Sequence, residues 1–198
     1  MIIRLQDCPP KAWKNGLGRT RELAIHPPAA GSEDFEWRVS IAEVDSAAPF
    51  STFPGIDRLI ALIDGDGFNM TLDDEATHAL TQPLVPFSFP GEATVAVSLF
   101  GGPTRDFNLM LRRNRVAGDV LAWHGPAVHQ IFAPIALVFC VQGRIDTIDG
   151  PLQAGEAWLP SSHDSAATLH DGALALAVQV EPRGASAAAA PVYSAAAS

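Results

Sequence analysis

Apolar and polar side chains alternate at a spacing of two along much of this 198-residue chain, and the spacing of three or four that marks an amphipathic helix is scarce. Sixteen prolines and sixteen glycines interrupt the pattern every few residues. These features predict an all-β protein of short strands and turns, arranged as a sandwich or a barrel. The clearest predicted strands cover residues 35–44, 58–65, 68–72, 94–100, 135–143 and 173–180.

Two stretches of the chain follow one plan. In each, an apolar strand enters a glycine turn, a short alternating strand leaves it, and a proline opens the next pair of strands. Gly65 corresponds to Gly143, and Pro90 corresponds to Pro160. The repetition predicts that a small barrel-like unit was duplicated.

The predicted domain organisation follows from this repeat and from a change of composition near the end of the chain. We expect one domain over residues 1–182, with an N-terminal half of about 1–110 and a C-terminal half of about 111–182. Residues 183–198 are rich in alanine and serine and lack an apolar periodic face, so we expect a tail there.

The net charge of −9 argues against phosphate backbones and anionic membrane surfaces as partners. No segment approaches the roughly 18 uninterrupted apolar residues of a membrane span, and the first residues do not resemble a secretory signal. We therefore expect a cytoplasmic protein that binds neither nucleic acid nor membrane.

Motifs for covalent, phosphate or metal chemistry are missing from the sequence. It contains no nucleophile elbow, phosphate loop or C-x-x-C pair, and its six histidines never form an H-x-H pair. We predict no catalytic residue, no metal ligand and no cofactor.

Polar residues inside two alternating segments are candidates for a binding site. Arg38 and Ser40 share one face of a predicted strand, and that face is either exposed to solvent or directed into a cavity, where an arginine is suited to hold a carboxylate. Asp106 and Asn108 also share a face if the chain is extended. The alternative for this pair, which we favour on periodicity alone, is a turn in which they bond their own backbone.

Five ordered blocks resemble the HutD/Ves family of small bacterial proteins, and they cover roughly residues 10 to 110. The blocks are WKNGLGRTRE, FEWRVSIAEV, PFSTFPGIDRLIALIDGDG, FPGE and GGPTRDFNLM. The resemblance implies a double cupin, in which two β-barrel units share one chain, and a cytoplasmic protein linked to histidine utilisation that acts as a regulator or ligand sensor. The H-x-H motif by which most cupins hold a metal is absent, so metal-dependent cupin chemistry is not carried over.

The family signature block suggests a loop that closes one end of a barrel over a small polar ligand. Basic side chains would neutralise an anion, carboxylate and amide groups would read its hydrogen-bonding groups, and a tryptophan would form an apolar wall. The predicted ligand-binding residues are Trp13, Lys14, Asn15, Glu22, Arg38, Ser51, Arg58, Asp106 and Asn108. The alternative for the charged members of the block is a solvated, salt-bridged edge, which we favour for Arg19 and Arg21.

We therefore expect a non-enzymatic regulatory protein of histidine utilisation that senses an anionic intermediate such as urocanate or formylglutamate. Two alternatives remain open: a cupin hydrolase, isomerase or lyase that acts on a similar small acid with Glu22 or Asp106 as general base, and a regulator that binds only protein. Pairing of cupins through sheet edges makes a homodimer an expectation by analogy.

Overall fold

The computed structural model describes residues 1–13, 16–28, 34–132, 134–162 and 164–183. Across these residues the chain is all-β, and the one helical element is a short 3-10 turn, Leu5–Asp7. The strands are β1 Ile2–Arg4, β2 Lys11–Ala12, β3 Gly18–His26, β4 Trp37–Val44, β5 Ile56–Asp64, β6 Phe68–Leu72, β7 Ala76–Leu80, β8 Phe87–Pro90, β9 Val95–Leu99, β10 Thr104–Arg112, β11 Val116–His124, β12 Ala127–Ile131, β13 Ile135–Gln142, β14 Arg144–Thr147, β15 Gly150–Gln153, β16 Glu156–Trp158, β17 Ser165–Leu169 and β18 Leu174–Pro182.

The six predicted strands are confirmed as β4, β5, β6, β9, β13 and β18, each within two residues of its expected ends. Three long strands, β3, β10 and β11, were not predicted from the alternation. The segment expected to close a barrel end as a loop is partly strand, since β3 begins at Gly18. Across the described ranges, no helix is long and apolar enough to cross a membrane.

The chain divides into two compact units. The N-terminal unit comprises Pro10–Ala117 and the chain from Pro182 onward, and the C-terminal unit comprises Met1–Pro9 and Gly118–Glu181. Apart from Arg183, the predicted alanine- and serine-rich tail lies outside the described residues.

Two sheets build the N-terminal unit. The larger has the strand order β2-β3-β4-β10-β5-β8, and the smaller has the order β7-β6-β9. Ile60 and Leu62 of the larger sheet share a buried apolar cluster with Phe68, Met70 and Val95 of the smaller one. Burial of this cluster holds the two sheets together, because removal of apolar surface from water is the main favourable term in folding.

Two sheets also build the C-terminal unit, in the orders β1-β16-β13-β18-β11 and β12-β17-β14-β15. Trp158, which is fully buried, lies in their common core with Val138, Ile145, Leu152 and Leu169. None of the four sheets closes into a barrel within the part of the chain that is described.

The same strand order recurs in the two units. The run β4-β10-β5-β8 has its counterpart in β11-β18-β13-β16, and β7-β6-β9 has its counterpart in β15-β14-β17. Gly65 and Gly143 follow the equivalent strands β5 and β13, and both have positive φ, at 90° and 76°. The glycine turns that defined the sequence repeat therefore occupy equivalent places.

Candidate functional site

A cavity of about 480 Å³ opens on one face of the larger N-terminal sheet. Strands β4, β10 and β5 contribute most of its polar side chains, and the chain between β4 and β5 contributes Phe50 and Phe53. The polar lining consists of Thr20, Arg38, Ser40, Ser51, Arg58, Asp106 and Asn108, and the larger apolar side chains are Trp13, Phe50, Phe53 and Met110.

Strand register brings the two arginines together. Met110 of β10 is paired with Arg38 on β4 and with Arg58 on β5. Two residues back along β10, Asn108 is paired with Ser40. Asp106 lies two residues further along the same face, because side chains at every second strand position point to one side. The polar groups therefore form an ordered surface rather than a scatter of loop residues.

The opposite faces of these strands lie in the core, which fixes the orientation of the polar face. Phe107 and Leu109 of β10 are fully buried, as are Val39 and Ile41 of β4. A slip of one residue would put the polar side chains into the core, so the register is strongly specified. The solvent alternative for the second face of β4 is wrong at Ser40, which is 3% exposed.

Asp106 belongs to a strand and not to a turn. It lies inside β10, it is fully buried, and neither of its carboxyl oxygens accepts a hydrogen bond from a described residue. The alternative of an Asp/Asn turn bonding its own backbone is therefore wrong at this position.

Aromatic rings, rather than carboxylates, hold the guanidinium groups. The Arg58 Cζ atom lies 4.8 Å from the centroid of the Phe89 ring and 5.2 Å from that of Phe50. Phe35 and Phe53 flank Arg38 at 5.2 and 5.6 Å. Such cation–π contacts attract a cation without neutralising it.

The polar contacts of the two guanidinium groups are sparse. Arg58 Nη1 donates to the backbone carbonyl of Ser51 at 3.5 Å, and Arg38 Nη2 contacts the Met110 sulfur at 3.0 Å. Among the described residues, neither arginine makes a salt bridge, and the Nε atom of each is buried without a partner. Both groups thus keep hydrogen-bonding capacity for a bound anion.

Burial shifts the ionisation of the acid and of both bases. Desolvation raises the pKa of Asp106 to about 7, against an opposing effect of Arg58. Burial lowers the pKa of Arg58 to about 10, and the Asp106 charge opposes that shift. The pKa of Arg38 is also lowered by burial, with an opposing effect of Glu22. Both arginines are still cations at neutral pH, whereas Asp106 titrates close to it.

Of the nine predicted ligand-binding residues, six line the cavity: Trp13, Arg38, Ser51, Arg58, Asp106 and Asn108. Glu22 does not line it; it lies on β3 opposite Ser40, next to a register shift, and acts on Arg38 through its charge. Lys14 and Asn15 lie outside the described residues. The binding role of all nine stays a prediction.

Several lining residues were not among the predicted set. Thr20 accepts a hydrogen bond from Trp13 Nε1 at 2.8 Å, and Phe50 packs edge-on against the Trp13 ring. Met110 could have been found by extending the Asp106–Asn108 alternation by one step. Phe50 and Phe53 carry no periodic signal, because they lie between strands.

Described residues outside the cavity form surface salt bridges and no cluster of metal ligands. Arg19 and Arg21 both pair with Glu43, as expected for a salt-bridged edge. No group of three or more His, Cys, Asp or Glu side chains in the described ranges is placed to hold a metal ion.

The comparisons with known proteins agree on one family. The HutD family model matches residues 5–187. Protein Ves of Escherichia fergusonii is 40% identical over 166 residues, which cover 80% of this chain and 83% of that protein. A 21.2 kDa protein encoded in the hutC 3′ region of Pseudomonas putida is 34% identical over 145 residues, which cover 73% of this chain and 75% of that protein.

Solved structures give the same result for the fold. HutD from Pseudomonas fluorescens SBW25 superposes with a TM-score of 0.79 and 31% identity, covering 93% of this chain and 99% of that one. A cupin 2 conserved barrel domain protein from Leptotrichia buccalis, only 10% identical, gives a TM-score of 0.58 over 91% of this chain and 96% of that one. This chain is a member of the HutD/Ves family, with a cupin-like all-β fold.

Proposed function

We propose that this protein is a small-molecule-binding regulator of histidine utilisation, whose cavity senses an anionic pathway intermediate such as urocanate or formylglutamate. The hutC context of the Pseudomonas putida relative and the name of the Pseudomonas fluorescens one support the pathway. The chemistry of the cavity supports an anion as the ligand.

The observation that carries the proposal is the pair Arg38 and Arg58. Both guanidinium groups line the cavity, and neither has a carboxylate hydrogen-bonded to it among the described residues. A desolvated cation without a hydrogen-bonded counter-ion is costly, so an anion that enters between them gains hydrogen bonds that the carboxylates of the protein do not make. Planar guanidinium groups also match the geometry of a carboxylate.

The size and walls of the cavity suit a small organic acid. Its volume of about 480 Å³ falls within the range of ligand pockets, roughly 300–1,000 Å³. The rings of Trp13, Phe50 and Phe53 offer flat apolar surface to the carbon skeleton of such a ligand. A conjugated acid such as urocanate has both a carboxylate for the arginines and a flat carbon skeleton for these rings.

Calorimetric titration and thermal unfolding with urocanate and with formylglutamate test the proposal. A ligand at a hundredfold over its dissociation constant stabilises the folded state by about 2.7 kcal/mol. Arg58→Met should abolish this effect, whereas Arg105→Met, which removes an exposed salt bridge to Asp64, should retain it. The absence of binding by any intermediate of the pathway would contradict the proposal.

A second candidate function is catalysis on a similar small acid. The observation in its favour is Asp106, a buried carboxyl in the cavity whose pKa of about 7 suits a general base. Incubation of the protein with urocanate, followed by its ultraviolet absorbance, separates the two functions. Loss of substrate that disappears in Asp106→Asn would establish the enzyme, and unchanged absorbance with measurable binding would establish the sensor.

The arrangement of the two units, the location of the protein and its oligomeric state are also proposed. We propose that the chain is a double cupin that arose by duplication, which the shared strand order of the two units supports. A cytoplasmic location and a homodimer are further parts of it. Sedimentation of the purified protein tests the dimer, and fractionation of cells tests the location.

A further inference from the structure

The polar residues on the sheet side of the cavity, here called the cavity floor, follow a fixed order along β10. Its guanidinium groups come from Arg38 and Arg58, at the strand positions that flank Met110. Asn108 and then Asp106 follow on β10 at steps of two residues, each about 6.7 Å along the strand. An elongated ligand lying along β10 would therefore run from the strand positions of the two arginines toward Asp106, whose charge already acts on Arg58.

The far end of the floor contains buried hydrogen-bond acceptors that have no donor among the described residues. Both carboxyl oxygens of Asp106 and the Oδ1 atom of Asn108 are buried, and no described residue donates to any of the three. Asp106 is fully buried and Asn108 is 5% exposed. A buried acceptor without a donor is costly, because it has lost its hydrogen bonds to water.

We infer that the ligand of this cavity is an acid of two unlike ends, with a carboxylate between the arginines and an N–H donor directed at Asp106. This inference rests on the proposed function. A second carboxylate at the far end would bring two more acceptor oxygens to a place that already has three. An N–H group, as in an imidazole or a secondary amide, donates the hydrogen bond that ionised Asp106 lacks.

The charges in the cavity agree with a monoanionic ligand. Arg38 and Arg58 contribute two positive charges, and ionised Asp106 contributes one negative charge. One ligand carboxylate brings these three groups to neutrality; Glu22, whose charge also acts on Arg38 from β3, is not counted because it does not line the cavity. A dianion would reach the same balance only with Asp106 protonated, and the protein would then have lost a negative charge to accept the ligand.

A matched pair of ligands tests the inference. Urocanate and 3-(2-furyl)acrylate are both planar monoanions of similar shape, and the furan ring replaces the imidazole N–H with groups that cannot donate. Titration calorimetry at pH 8, where Asp106 is largely ionised, should show urocanate binding at least about tenfold more tightly. The difference should disappear in Asp106→Leu, which lacks the acceptor oxygens, and should persist in the surface control Asp171→Asn.

The outcomes separate this inference from the proposed function. Equal affinities for the two acids, both lost in Arg58→Met, would overturn the N–H donor while leaving anion binding intact. Failure of both acids to bind would overturn the inference, and it would overturn the proposed function as well only if formylglutamate also fails to bind. If Asp106→Leu does not fold, Asp106→Asn serves in its place: it keeps one acceptor oxygen, and we expect part of the preference for urocanate to remain. A preference for urocanate that is undiminished in every foldable Asp106 variant would also overturn the inference.

Discussion

The guanidinium groups of Arg38 and Arg58 lie against one aromatic ring, that of Phe53, each with its Cζ atom 5.6 Å from the ring centroid. A single side chain from the segment between β4 and β5 thus contacts both cations. Because the ring attracts the two cations without neutralising them, it keeps like charges close together in a site with no hydrogen-bonded carboxylate among the described residues.

The shared ring predicts the effect of Phe53→Leu. Loss of two cation–π contacts lets both guanidinium groups move, and we expect affinity for a small carboxylate to fall by about five- to thirtyfold. Titration calorimetry measures this change. Phe100→Leu is the matched control, since Phe100 is exposed and does not line the cavity, and it should bind as the original protein does.

Asp106 predicts a dependence of stability on pH. Its pKa is raised from 3.8 to about 7 by burial, so the folded state binds more protons than the unfolded state between these values. The contribution of Asp106 to stability is therefore present at low pH and declines as pH rises from about 4 to about 7.

Asp106→Asn removes this decline, because asparagine is neutral in both states. Relative to the original protein, we expect the variant to gain roughly 2–3 kcal/mol of unfolding free energy between pH 5 and pH 8. Urea unfolding at the two pH values measures the gain. An equal effect of the exposed control Asp171→Asn, or no change with pH, would show that Asp106 does not titrate as described.

The ion pair of Arg113 with Glu92 predicts a pH dependence of stability that is opposite in direction to that of Asp106. Arg113 donates to Asp57 at 2.6 Å and to both carboxyl oxygens of Glu92, and its hydrogen bond lowers the pKa of Glu92 to about 2. Stability from this pair is present above about pH 4.5 and is lost as pH falls toward 2.

Glu92→Gln should therefore destabilise the protein at pH 7 and have little effect near pH 2. Glu92 is partly exposed, so solvent screening limits the loss to about 1 kcal/mol. Chemical unfolding of the variant at both pH values provides the comparison. A constant effect at the two values would contradict the assignment.

The equivalent turn glycines predict similar losses in the two units. A Cβ atom at Gly65 would lie 2.7 Å from the Pro103 carbonyl oxygen, and one at Gly143 would lie 2.8 Å from Ala173 Cα, in addition to the strain of a positive φ. We expect Gly65→Ala and Gly143→Ala each to cost about 2–3 kcal/mol. Gly155→Ala isolates the strain, since its φ is 86° and its Cβ would meet nothing within 4 Å, and should cost about 1 kcal/mol.

Alternation gave a shared face for Asp106 and Asn108 only on the condition that the chain is extended, and on periodicity alone it favoured a turn. The chain is extended there, so the two side chains do share a face, and Phe107 and Leu109 lie buried on the opposite face. Alternation could not decide whether a polar face meets solvent or a cavity. That depends on which strands are neighbours, and the pairing of Met110 with both Arg38 and Arg58 joins three distant segments.

The phenylalanine residues that line the cavity could not be predicted from the sequence. Phe50 and Phe53 are placed by backbone hydrogen bonds to Val95 and Gly91, some forty residues away in the chain. Strand β3 was also missed, because charged residues and a bulge between Glu22 and Ala24 break its alternation.

The central claim is that an organic anion binds between Arg38 and Arg58. A crystal structure of the protein with urocanate at saturating concentration tests it most directly. We predict electron density for a carboxylate within hydrogen-bonding distance of both guanidinium groups. A cavity that stays free of the ligand, or a ligand bound at another surface while both arginines remain unoccupied, would contradict the claim.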